Sequence, residues 1–411
     1  MEFREQVLPN GLEVVAECDA EARSTALGFF VKTGARDEAD DVAGVSHFLE
    51  HMVFKGTPTR SADDVNREFD EMGAHYNAFT NEEHTVYHAA VLPEYLRPAL
   101  ALLSDILRPS LRDDDFDTEK KVIIEEIRMY ADQPPFGADD RVRAAHFGRH
   151  PLGHSVLGTV RSITDLKVEA MREYFRRRYS PANIALVAAG QVDFDALLAA
   201  AGEYCGGWEP FEAGRTAERA APHAGFECLL HPSATQEYVL QLANGPGATD
   251  DDRFAAKLLA TILGDDSGSR LFWELVDPGL AESANLGHCD YEGTGLYMTY
   301  LSCEPEQTAG NLRRVLEIYR GVEAGGVTAA ELGQAKNKIN SRVVLSSERP
   351  RGRLFNLGSN WTYRREYRSV KDDLDAVDAV TLDQLAAVLA KYPLTVSTTI
   401  AVGPLAEIDV S

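Results

Sequence analysis

Residues 42–56 read VAGVSHFLEHMVFKG. Val45, Phe48, Leu49 and Met52 fall at helical spacing, so the stretch is expected to be an amphipathic helix. On a helix, His47 and His51 stand at i and i+4 and project from one face, one turn apart. Two imidazoles so placed suit a single zinc ion. Glu50 lies beside His51 and a turn from His47, where it can reach a metal-associated water without being a ligand. A general base is expected there. The spacing HxxEH also arises by chance, so a third ligand must be found before the pair carries weight.

Residues 113–130, DDDFDTEKKVIIEEIRMY, are expected to form a second helix and offer Glu125 and Glu126. Glu126 follows Glu119 by seven residues, so the two share nearly one face, two turns apart. Val122, Ile123 and Tyr130 flank that face and are expected to draw Glu126 inward. Glu125 lies about 100° round the helix and four residues after Lys121, a solvent-side pairing. Glu126 is therefore the expected third ligand. Glu119 is expected to orient a ligating group or tune the water. His84 and His88 are also four apart, but residues 83–91 alternate as a strand does, and four strand residues span roughly 13 Å, too far for one ion. Asp113 to Asp115 read as a helix-start charge cluster.

Across 411 residues, 41 Lys+Arg stand against 65 Asp+Glu, a net charge of -24. That balance argues against nucleic acid and against docking on anionic lipid. It serves solubility, or it draws basic peptides towards an acidic cavity. No apolar run is long enough to span a membrane, and no signal peptide is visible at the start. The five cysteines are scattered, with no CxxC pair, and read as free thiols of a reducing compartment. A cytoplasmic location is expected.

The length calls for more than one domain. Residues 206–224 lack apolar periodicity and are rich in Gly, Ala, Pro and charge. The expected division is a metal-binding catalytic domain at 1–210, a linker at 211–224 and a metal-free domain at 225–411. The halves repeat one pattern. Residues 24–44 lead through a strand, a Gly turn and an acidic segment into the His47 helix, and residues 235–264 follow the same order. Residues 113–130 are echoed by 328–345. An internal duplication is expected, with an α+β fold of two similar domains, each an antiparallel sheet with helices packed on one face.

Four motifs in series, HFLEHMVFKGT (47–57), GAHYNAFTNEEHTVY (73–87), EKKVIIEEIRMYADQPP (119–135) and HPLGHSVLGT (150–159), resemble the pitrilysin/insulinase-type zinc peptidases. The likeness is greatest to the half-length branch that includes the mitochondrial processing peptidase, and it runs over essentially the whole chain, SGSRLF (267–272) included. These are inverzincins, whose zinc motif is HxxEH. The resemblance implies one Zn2+ per chain on His47, His51 and Glu126, with Glu50 as base and Glu119 as supporting acid. It implies that Asn77 and Ala78 lie on a strand edge along which a substrate peptide pairs. It further implies a chamber enclosed by two half-length subunits and a peptide or unfolded segment as substrate. The second half, with Lys257 and Arg342 near the repeat positions of His47 and Glu126, would wall that chamber. One departure stands out. Many active relatives carry an Arg after SRLF and a Tyr after Gly-Leu-Ala, both of which bind substrate. Here no Arg lies between Phe272 and Gly279, and Glu282 follows Gly279-Leu280-Ala281. Tyr291, Tyr297 or Tyr300 substitutes, or a partner supplies the groups, so homodimer and heterodimer are both open. A non-catalytic assembly protein on the same fold is the rival reading.

Overall fold

The computed structural model describes residues 1–221 and 223–409, with the side chain of Phe136 left out; Pro222 of the expected linker and the last two residues lie outside the described residues. Among the described residues, eleven strands form two sheets. The first runs in the order β1 (Glu2–Val7), β2 (Glu13–Cys18), β6 (Ile184–Gly190), β3 (Thr25–Val31), β5 (Thr85–Val91), β4 (His75–Thr80). The second runs β7 (Gly225–Leu230), β11 (Ser397–Gly403), β8 (Glu237–Gly245), β10 (Thr294–Cys303), β9 (Ser283–Tyr291). The expected α+β fold with an internal duplication is present. Position for position, β2-β6-β3-β5-β4 matches β7-β11-β8-β10-β9. The sheets are not purely antiparallel: β2 pairs with β6, and β7 with β11, in parallel. A parallel pair needs a long crossover, and the helices between the paired strands supply it.

Two compact units result, and they interleave along the sequence. One comprises residues 1–128, 154–216 and 344–368; the other comprises 129–153, 217–343 and 369–411. A single cut at 211–224 does not describe them. The stretch from 211 to 221 has no helix or strand, as expected, yet it is pinned: Arg215 meets Asp37 at 2.5 Å, and Arg178 donates to the carbonyls of Ala213 and Gly214.

This exchange covers both faces of each sheet, where one covered face was expected. In the first unit, Leu27, Phe29 and Val31 of β3 face the core that holds the His47 helix, while Ala26 and Phe30 face the other way. Period-two alternation places them so. On that second side lies the helix Pro350–Arg364, drawn from the later half of the sequence, burying Leu354, Leu357 and Trp361. Burying a Leu is worth roughly 1.5–3 kcal/mol. The approach is close, because a Cβ on Gly358 would come within 2.2 Å of the Phe30 ring. Arg353 fixes the helix through a buried two-pronged bond to Glu17, at 2.7 and 2.5 Å. In the second unit, the helix Phe136–Phe147 from the earlier half does the same, with Ala138, Val142 and Phe147 packed against Leu240, Leu242 and Ile400. Strands apolar on both faces are what such double coverage requires.

His84 and His88 lie under the covering helix of the first unit. Their rings meet Tyr363 at 4.8 Å and Phe355 at 5.0 Å. Burial pushes His84 down to about 3 and His88 down to about 4, with nearby Arg215 and Lys32, and Arg351, adding to it. Both are held neutral in the fold, while the unfolded chain takes up protons near 6.5. Their cost is nil above that value and grows as pH falls from about 6.5 towards about 4. The melting temperature is expected to fall on going from pH 7 to pH 5, and the double variant His84→Gln/His88→Gln is expected to show a shallower fall by calorimetry.

Candidate metal centre

The helix Val45–Val53 begins at Gly44, whose φ of 92° lies in the left-handed region. The space beside Gly44 is closed, since a Cβ would sit 2.6 Å from the Leu157 carbonyl oxygen. From that start the helix turns its apolar face, Phe48, Leu49 and Met52, into the core. His47 is buried and His51 partly so. The helix Asp113–Asp132 lies against it, with Phe116 stacked on Phe48 at 4.6 Å and 16°.

The three expected ligands come together. Nε2 of His47 is 3.9 Å, and Nε2 of His51 3.8 Å, from the same Glu126 oxygen. The imidazole rings stand 4.7 Å apart at 66°. Donors on a tetrahedral zinc ion lie about 3.3 Å from one another, so the triangle needs only a small closure to fit a metal of that class. The protonation chemistry fits too. Burial, with His51 as neighbour, pushes His47 down to about 3, which leaves a neutral imidazole able to donate its lone pair. His51 also feels burial, but the Glu119 bond and the charges of Glu119, Glu126 and Glu50 outweigh it and raise its pKa. Its Nδ1 donates to Glu119 at 2.8 Å, which leaves Nε2 for a metal. Burial pushes the buried Glu119 up, but the bonds to His51 and to Lys55, at 2.6 Å, overcome it and hold the carboxyl below the usual range.

Glu125 points away, with an exposed side chain paired to Arg128 at 2.5 Å rather than to Lys121. Of the residues expected to flank Glu126 on the inner face, Ile123 is fully buried, whereas Val122 is exposed. Glu50 stands apart from the ligand triangle. Burial raises its pKa, while a 2.7 Å bond from the Thr80 hydroxyl and the charge of His51 oppose the rise. Thr80 closes β4, the strand that holds Asn77 and Ala78. Among the described residues β4 is paired with β5 alone, so its outer edge is open. The Ala78 N–H is taken by the Asn77 side chain at 2.9 Å instead of by a strand.

Sequence reasoning missed Lys55 and Thr80. Lys55 follows His51 by four residues, a signal that was there to read. Thr80 carries none, since a strand-end hydroxyl has no distinctive context. In the second unit, Lys257 and Arg342 line a cavity of about 500 Å³ with Asp265, His288 and Tyr300. Lys257 is paired with Asp290 at 3.2 Å and Arg342 with Asp265 at 2.5 Å, so both are engaged in ion pairs. Of the three tyrosines weighed as substitutes, Tyr297 is fully buried and Tyr291 is buried and bonded to Arg143. Tyr300 alone lines the cavity. Glu282 is bonded to Gln236.

Residues 13–160 match the insulinase model of peptidase family M16, and residues 165–339 match the model described as the M16 inactive domain. A protein of Mycobacterium tuberculosis named an uncharacterized zinc protease is 35% identical over 395 residues, covering 94% of this chain and 89% of that one. This chain belongs to peptidase family M16. Another relative, the uncharacterized zinc protease YmxG of Bacillus subtilis, is 30% identical over 379 residues, 92% of each. The M16 fold also appears in two solved structures that share 20% identity with this chain. A Pseudomonas fluorescens structure described as a peptidase M16 inactive domain has a TM-score of 0.92 and covers 100% of this chain and 99% of its own. A Helicobacter pylori protease has a TM-score of 0.90, with 98% and 99% covered.

For this M16 chain, titration of the purified protein with zinc is expected to show one strong site. Glu126→Ala should weaken it by more than the roughly 10–100-fold typical of groups that only support ligands. Glu125→Ala should leave it unchanged. Equal losses in the two variants would reverse the assignment.

Proposed function

We propose that the protein is a zinc-dependent endopeptidase acting on peptides or unfolded segments. The observation that carries this reading is the convergence of His47, His51 and Glu126 on one point, beside a raised-pKa Glu50 tied to an open strand edge. Bound there, Zn2+ supplies a Lewis acid for the scissile carbonyl and makes water acidic near neutral pH. Glu50 takes the proton of the attacking water and returns it to the leaving amine. The Thr80 hydroxyl occupies one Glu50 oxygen and so directs the other to the reaction. A substrate backbone extends β4 by strand addition, and the Ala78 N–H exchanges its Asn77 partner for a substrate carbonyl. Such pairing reads backbone and is indifferent to most side chains. Residues 1–210 carry the catalytic groups and 225–411 a metal-free wall of the substrate chamber.

Two chains are proposed to form that chamber, as a homodimer. A specific observation favours a second reading, a heterodimer in which another subunit grips substrate: Glu282 stands where relatives carry Tyr, and Tyr291 and Tyr297 are committed to the interior. The scaffold reading is weaker, because a protein serving only assembly has no use for a complete ligand set. Among the described residues no helix is long and apolar enough to cross a membrane. Five free cysteines support a reducing, cytoplasmic setting.

Glu50→Gln is expected to bind zinc as the parent does and to lose roughly 10²–10⁴-fold in peptide turnover; a variant that still cleaves normally would remove Glu50 from the mechanism. In native mass spectrometry, the purified chain is expected at twice its 45.1 kDa. Cleavage of mixed peptides by that species alone would support the homodimer. A monomer that becomes active only with a second subunit would support the heterodimer.

A further inference from the structure

The helix that carries both histidines has nine residues, and it opens without a side-chain cap of its own. A helix this short is marginal by itself. His47 sits in its first turn, so fraying there would turn a ligand away. The usual remedy is Ser, Thr, Asp or Asn at the N-cap, accepting an N–H of the first turn. Here the N-cap position is closed to any side chain: Gly44 is in the left-handed region, and a Cβ would meet Leu157, Ile163 and Gly158 within 3 Å.

Glu38 fills the missing role from six residues upstream. Glu38 is buried, at 5% exposure. One oxygen accepts the Gly44 N–H at 2.6 Å and the other the Ser46 N–H at 2.7 Å. The ordinary helical ladder begins just after, with Phe48 N–H donating to the Gly44 carbonyl at 3.0 Å. The Ser46 hydroxyl meets Tyr174 at 2.7 Å, and Tyr174 in turn meets Thr33, so the first turn is held on a second side. Burial pushes the Glu38 carboxyl up to about 8, against the pull of the Ser46 and Gly44 N–H bonds, so the cap rests on those two hydrogen bonds and not on charge.

We infer that Glu38 is a positioning residue for the metal centre, capping the histidine helix from outside it and thereby setting where His47 presents its nitrogen. This rests on the reading of His47, His51 and Glu126 as ligands. It assigns to Glu38 no contact with metal or substrate.

Glu38→Gln keeps the volume but presents an NH2 group to one of the two N–H donors, so only one bond survives. The zinc dissociation constant, measured by chelator competition, is expected to rise on the order of 10-fold, the scale of groups that orient ligands. Helical content without metal should stay the same by circular dichroism. A zinc dissociation constant within about twofold of the parent, whether or not the melting temperature falls, would overturn the inference, because a merely structural carboxylate affects stability and not affinity. Should the variant fail to fold, amide hydrogen exchange on the unmodified, chelator-treated protein decides. The Ser46 N–H is expected to be protected, and free exchange there overturns the cap. An unmodified protein that binds no zinc overturns the ligand reading itself, and this inference with it.

Discussion

Phe48 and Phe116, 68 residues apart in the chain, stack at 4.6 Å between the two helices, and the candidate metal centre depends on that contact. Two histidines one turn apart define a line, not a site. The third donor must come from a separate element and arrive with an accuracy of tenths of an ångström. The stack, with buried Ile123 behind it, sets the spacing of the two helices. Helical periodicity then does the rest: seven residues along one face, Glu119 meets the far nitrogen of His51 and Glu126 meets the near ones.

Much of this is legible in the sequence. His47, His51, Glu50 and the choice of Glu126 over Glu125 followed from helical geometry, because i, i+4 and i+7 relations are local and need no knowledge of the fold. The doubled architecture was legible as well, since each half repeats the same order of turns and charges. The interleaving of the units was not. Whether an amphipathic helix covers its own sheet or another depends on long-range packing, and the pattern of Pro350–Arg364 is the same in either case. One local clue existed: strands such as β6, apolar at every position, ask for cover on both faces. The parallel pairs were hidden for a similar reason, because strand pairing across more than 150 residues leaves no periodic trace.

The two halves make different use of one frame. In the first, a carboxylate helix meets a histidine helix and leaves donor atoms pointing at a common centre. In the second, the corresponding helices carry Arg342 and Lys257, and each finds an acid close by. Charges that neutralise one another in pairs leave no convergent lone pairs for a cation. The difference between the candidate metal site and its counterpart is thus a matter of a few side chains on a repeated strand order, which is the sense in which function is grafted on a fold.

The crossing of Pro350–Arg364 onto the first sheet bears on how the chain comes to be folded. During synthesis the strands of that sheet are complete by Gly190, but the helix that covers Val15, Phe30, Val86 and Val187 does not exist until some 160 residues later. Over that interval an apolar surface stands open beside a growing polypeptide, the condition under which chains stick to one another or call on chaperones. The contacts that end it are among the longest in the sequence, and such contacts close slowly. The first sheet therefore gains its second cover only once Pro350–Arg364 is made, and residues 1–210 by themselves leave that face bare.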